Sequence, residues 1–305
     1  MTKLLEGFTV LDFTHRLPGP LAGKILVGLG AKVIKVEDIV FKDPFIEGLF
    51  CEFDESFPHW YEELNNQKEL VRLDFKSDKI KDEIHDLLKN ADGILTGLPP
   101  KVQKILGIDE TSLKEKNLAI AVIEMLASKE HKNAMHDLNA LAMTGLLALH
   151  IEGRTEPIIS PPFLPIAGIA FGHKAATDLL AAMLDVKRKE VTVVHQTYLF
   201  ESTDEIFSAF WPKKSRTRSK FLHNGLYPCY GLYKTRDGKY VALAAVEEKF
   251  WLKFCEIFKL DITPMKRFFT EDQTIFNEIS KCFLSLDQSE IDEMIRDEDF
   301  CLSLI

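Results

Sequence analysis

FTVLDFTHRLPGPLAGKILVGLGAKVIKVE, residues 8–37, is the stretch on which the fold turns. Residues 8–13 are a short apolar run of strand length. HRLPGPLAG reads as a turn, KILVGLG as a helix that Gly30 closes, and AKVIKVE as a second strand. Strand, helix and strand in that order form a βαβ unit. The helix carries the chain back along the sheet, so the two strands run parallel.

The same alternation continues. LVRLDFK (70–76), GILTGL (93–98) and VTVVHQ (191–196) read as strands, and LAIAVIEML (118–126) as the best buried one. Between them lie an amphipathic segment at 80–88, a short helix ending at Gly107, and two long apolar helices at 138–150 and 168–184. This pattern predicts the α/β class, with a doubly wound parallel sheet. The character changes near residue 212, where PKKSRTRSK is polar and basic. GLYKTRDGKYVALAAV then reads as a hairpin with Asp237-Gly238 at its turn. EKFWLKFCEIF places Phe250, Phe254 and Phe258 on one helical face. The predicted organisation is a large domain at 1–211, a linker at 212–225 and a smaller α+β domain at 226–305.

Composition removes several function classes. A net charge of −9 repels nucleic acid. Five scattered cysteines suit neither a zinc site nor a disulfide framework, and fit a reducing compartment. No apolar run reaches the ~18 residues of a membrane span, and the start lacks a signal peptide. The expectation is a cytoplasmic protein that binds neither nucleic acid, nor membrane, nor metal.

KNAMHDLNALAMTGLL (132–147) sets Asp137, beside His136, at the head of an apolar helical run. Two readings stay open. A carboxylate there accepts the free N–H groups of a first turn and sits at the positive end of the dipole; or it is a reactive group. His15 follows the first strand, at the sheet end where α/β ligands gather, although a plain turn residue fits as well. Glu247, ahead of FWLKF, reads as a solvated or capping carboxylate. Lys213, Lys214, Arg216, Arg218 and Lys220 read as a solvated loop or, less simply, a phosphate clamp. THRLPGPLAG lacks the G-x-G-x-x-G pattern of dinucleotide sites.

Taken in order, these segments resemble the class III CoA-transferase family, which includes the α-methylacyl-CoA racemases. The stretches that carry the resemblance are LLEGFTVLDFTHRLPGPLAGKILVGLGAKVIKVE, LNNQKELVRLDFKS, ADGILTGLPPKVQKILGI, AMHDLNALAMTGLL and LYPCYGLYKTRDGKYVALAAVEEKFW. The resemblance implies a Rossmann-like large domain, a small domain and a homodimer of interlocked subunits. It implies acyl-CoA and a carboxylic acid as substrates. Asp137 would be the transferase nucleophile, forming acyl-aspartyl and aspartyl-CoA intermediates, or the racemase acid/base. Glu247 matches the racemase glutamate, His136 stands beside the aspartate, and no histidine stands at the racemase second-base position. His15, Arg16, Lys68, Lys101 and Lys104 would meet CoA.

Departures from the family pattern motivate a further alternative, a catalytically degenerate member acting in binding or assembly. Asp38 stands where many members carry an arginine. Asn66, Gln67 and Lys68 replace Arg-Gly-Lys, and Gly97, Leu98, Pro99, Pro100 and Lys101 replace Asn-Phe-(Lys/Arg)-Pro-Gly. IEMLASKEH has no glycine where the family has a Gly-rich turn, and only Asn224-Gly225 remains of a glycine loop. The chain also ends where the family's returning C-terminal segment would begin.

Overall fold

The structure, a computed structural model, describes residues 3–132, 134–151, 154–210, 225, 227–269, 273–298 and 300–305. The chain divides into two units, residues 1–216 and 217–305. The basic run from Lys213 to Lys220 and Asn224 lie outside the described residues.

In the first unit the order is β1 (Thr9–Phe13), α1 (Pro18–Gly28), β2 (Lys32–Asp38), α2 (Leu49–Phe53), α3 (Ser56–Asn65), β3 (Glu69–Leu73), α4 (Ile80–Leu88) and β4 (Gly93–Thr96). Then come α5 (Pro100–Leu106), α6 (Glu110–Glu115), β5 (Ala121–Leu126), α7 (Asp137–Thr144), α8 (Leu146–Ile151), α9 (Ile166–Lys189), β6 (Val193–Tyr198) and α10 (Leu199–Ser208). The six strands form one parallel sheet in the order β3-β2-β1-β4-β5-β6.

Both sheet faces are covered, as the near-continuous apolar strands require. Val10, Leu95 and Ile123 pack under Ala175, Leu179 and Met183 of α9. Their neighbours Leu11, Ile94 and Val122 point the other way, onto Ile84, Leu88, Leu106 and Leu113. The alternation follows from the two-residue period of a strand.

The structure moves two expected boundaries. The predicted turn HRLPGPLAG already contains the start of α1, because Pro18 occupies the first helical turn, where its missing N–H costs nothing. The expected single helix at 138–150 is two helices, α7 and α8, parted at Gly145 with φ 88°. A left-handed residue there suits glycine and stops the helix.

The second unit is α+β. A three-stranded antiparallel sheet, β7 (Tyr230–Lys234), β8 (Tyr240–Ala244) and β9 (Leu302–Leu304), runs in that spatial order. It packs with α11 (Glu248–Phe258), α12 (Gln273–Leu284) and α13 (Gln288–Ile295). Trp251, Phe254, Phe258 and Phe283 fill its core. Gly238, at φ 82°, turns the hairpin as its Asp-Gly pair predicts.

Candidate active site

Open parallel sheets take ligands beyond the carboxyl ends of their strands, where the strand order reverses. In this sheet the reversal lies between β1 and β4. A cavity of about 570 Å³ opens there, lined by the turns after β1, β4 and β5, the aromatic segment after β2, and the starts of α7 and α9.

Asp137 lies on its wall. The aspartate is the first residue of α7, yet its Oδ1 accepts the N–H of Gly168, in the first turn of α9, at 2.7 Å. A first turn has N–H groups without helical partners, and an aspartate there is also favoured by the dipole. Partial burial raises the Asp137 pKa above its ordinary value, and the N–H groups of Gly168 and Ala167 pull partly against that rise. The side chain is neither sealed from water nor unengaged: it is half-buried, with one oxygen held. His136 is exposed on the same wall, and its own N–H donates to Asn139 Oδ1 at 3.0 Å.

The turn after β1 supplies His15 and Arg16 to the cavity. The His15 ring stands edge-on to Phe41, with centroids 6.0 Å apart, and its buried Nε2 has no partner. Burial lowers its pKa and Lys35 adds to that, so the ring is neutral near pH 7. Arg16 adopts φ 66°, a left-handed conformation that is costly for a residue with a Cβ. Its N–H is held by Asp43 Oδ2 at 2.8 Å, while Asp43 Oδ1 accepts the Phe45 N–H at 3.0 Å. The exposed guanidinium has no ion pair among the described residues.

The profile of CoA-transferase family III matches residues 5–305. The chain belongs to this family. A CaiB/BaiF CoA-transferase family protein of Caenorhabditis elegans is 24% identical over 99% of this chain and 86% of its own length. A probable fatty acyl-CoA transferase of Mycobacterium tuberculosis is 28% identical over 87% and 72%. The crystal structure of a CaiB/BaiF family protein from Brucella suis superposes with a TM-score of 0.76 over 99% of this chain and 84% of that one, at 18% identity, which is a likeness of fold. α-Methylacyl-CoA racemases are also among the relatives. CoA thioesters are the substrates of this family.

In this family III chain the expected cations are dispersed. Lys68 is engaged within the protein. Its Nζ lies under the turn, 2.8 Å from Asp12 Oδ2, 2.9 Å from the Pro20 carbonyl and 2.8 Å from Asn65 Oδ1. Its side chain is 1% exposed, so its three donors are spent inside the protein and none is left for a phosphate. Burial alone would raise the Asp12 pKa, but Lys68, Lys35 and Thr14 hold it far below the usual carboxylate range. Lys101 and Lys104 are exposed on α5, outside the cavity lining. Glu247 is the exposed residue ahead of α11, in the second unit.

The glycine-free turn after β5 has an internal ligand. Glu201 Oε1 accepts Ser128 Oγ and the Lys129 N–H, both at 2.8 Å, and the Glu130 N–H at 3.2 Å. Two backbone donors of this turn, those of Lys129 and Glu130, are therefore already directed at a carboxylate, and the His131 N–H is held by Ser128 Oγ. Sequence reasoning missed Glu201 and Asp43. Nothing local marks Glu201, which lies more than 70 residues from its partners. Asp12 and Lys35 did carry a signal: a charge inside a buried strand must be paired. Among the described residues no cluster of His, Cys, Asp and Glu could hold a metal, and no helix is long and apolar enough to cross a membrane.

Proposed function

We propose that the chain transfers CoA between carboxylic acids, with Asp137 as the nucleophile. The observation that carries this reading is the position of Asp137: half-buried on the wall of the switch-point cavity, with Oδ1 held by the start of α9. The carboxylate attacks the thioester carbonyl. The C–S bond breaks, CoA leaves as its thiolate, and an acyl-aspartyl anhydride remains. The thiolate attacks the aspartyl carbonyl, freeing the first acid and leaving aspartyl-CoA. The second acid repeats the exchange in reverse and departs as its CoA thioester, restoring the carboxylate. Covalent capture divides one difficult transfer into steps of lower barrier. Arg16, the cation of the cavity wall, would face an anionic oxygen of acid or CoA, and His136 would flank the acyl group. Lys101 and Lys104 lie outward, where only the distal phosphates of CoA would meet them. A homodimer in the cytoplasm is the expected setting.

A second reading is favoured by Lys68 and Glu201. One has its charge committed to Asp12, and the other occupies two backbone donors of the β5 turn. Loss of a single oxyanion donor costs on the order of 10²–10³ in rate. The chain would then keep the scaffold and bind without turnover. An acid/base role for Asp137 in a racemase-type isomerisation is a third reading; its second base would have to come from elsewhere than the family position.

Hydroxylamine trapping separates these readings. Incubation with a panel of acyl-CoA thioesters is expected to give an Asp137 hydroxamate, absent in Asp137→Ala. CoA binding without trapping or exchange supports the binding protein. Exchange of the α-hydrogen with D₂O, without trapping, supports the isomerase.

A further inference from the structure

We propose that the cavity is shaped for a bulky apolar acyl group rather than for a short or carboxylate-ended one. The inference rests on reading the cavity as a CoA-thioester site, and narrows its substrate.

The segment after β2 brings Phe41, Phe45, Phe50 and Trp60 to the cavity wall. Phe45, Phe50 and Trp60 form a connected group with Phe57, while Phe41 stands apart against His15. Phe45 lies 4.9 Å from Phe57 and 6.1 Å from Trp60, and Phe57 lies 5.3 Å from Phe50, between ring centroids. Phe45 anchors the group at 5% exposure, whereas Phe50 is 41% and Phe41 64% exposed. Two large aromatic side chains thus border the cavity with much of their surface in water. Covering them with an apolar chain removes that surface from solvent.

The wall is held in place before any ligand arrives. The His15 ring braces Phe41 edge-on, and Asp43, itself fully buried, ties the Phe45 N–H and the Arg16 N–H to one carboxylate. A preorganised wall spares the ordering cost of binding. Leu17, Leu98, Met125 and Phe171 continue the apolar lining. Besides the histidines, the ionisable side chains of the lining among the described residues are Arg16 and Asp137. Among the described residues a second carboxylate on the acyl chain would find Arg16 alone, and elsewhere would lose its hydration against aromatic carbon.

Calorimetry of the full chain with unreactive S-alkyl-CoA thioethers tests this. Butyl, hexyl and octyl compounds are compared with CoA and with S-(ω-carboxyalkyl)-CoA of equal length. Affinity is expected to rise by about fourfold per buried methylene. The carboxylate-ended compounds should bind at least tenfold more weakly than their methyl-ended counterparts. Phe41→Ala and Phe50→Ala should flatten the rise; exposed Phe41 can be removed without emptying a core. CoA binding with a flat series, or with the carboxylate-ended compounds tighter, overturns the proposal and leaves the thioester reading intact. Absence of binding by every compound, CoA included, overturns both.

Discussion

Asp137 and Gly168 join two helices through one hydrogen bond: the aspartate that begins α7 accepts, at 2.7 Å, an N–H from the first turn of α9. The question whether Asp137 starts a helix or faces a ligand thus has a compound answer. It heads one helix, serves the opening of another, and stands on the cavity wall.

A carboxyl group whose folded pKa is raised favours the folded state most when protonated. The Asp137 contribution is complete below the ordinary value of 3.8 and is lost as pH rises through the higher folded value. Asp137→Asn keeps an oxygen for Gly168 and removes the charge. It is expected to be slightly more stable than the parent at pH 7, by no more than about 1 kcal/mol because water screens a half-exposed group. The difference should vanish near pH 3. Thermal unfolding across that range is the check; equal melting curves at pH 7 contradict it.

Lys68 and Asp12 form a buried pair, so removing one partner strands the other. Lys68→Met is expected to cost about 3–5 kcal/mol, and Asp12→Asn with Lys68→Met to recover most of that loss. Added salt should leave the difference unchanged, since water and ions do not reach the pair. Because the Asp12 pKa is depressed, its contribution is present above 3.8 and fades as pH falls toward the lower folded value. Denaturant midpoints of the single and double variants measure this.

Gly172 lets α9 approach α1. A Cβ there would lie 2.7 Å from the Pro18 carbonyl oxygen and 3.0 Å from Leu21 Cδ2. Backbone cannot rotate aside as a side chain can. Gly172→Ala should therefore destabilise the first unit by about 1–3 kcal/mol, although alanine is the better helix former. Unfolding unchanged or improved in the variant would mean that the helices part freely.

Arg16 separates stability from binding. Glycine adopts φ 66° without the Cβ penalty of about 1–2 kcal/mol, offset by roughly 0.5–1 kcal/mol of chain entropy. Arg16→Gly should be neutral to slightly stabilising, while its affinity for CoA or a carboxylic acid falls. Comparing CoA with an acyl-pantetheine, which lacks the phosphates, tells which anionic group Arg16 meets. A full loss of folding in Arg16→Gly would contradict the account of this turn.

The parallel sheet and its two covered faces could be read from the order and pattern of segments, and the family from the resemblance of those segments to its members. These depend on near neighbours along the chain: short continuous apolar runs mark β1 and β5, and Asp-Gly marks the β7–β8 turn. A glycine in a periodic run was less legible, so the break at Gly145 appears only in the folded chain.

Charge assignment was decided by tertiary structure. Lys68 looks like any cation available to a phosphate until Asp12, 56 residues away, takes its proton donors into the core. Glu201 meets the β5 turn across more than 70 residues. Whether a charge faces a ligand or is spent inside depends on which distant group reaches it first, and on how much water remains between them. Local pattern carries the backbone path; packing decides solvent, and solvent decides what a charged side chain is free to do.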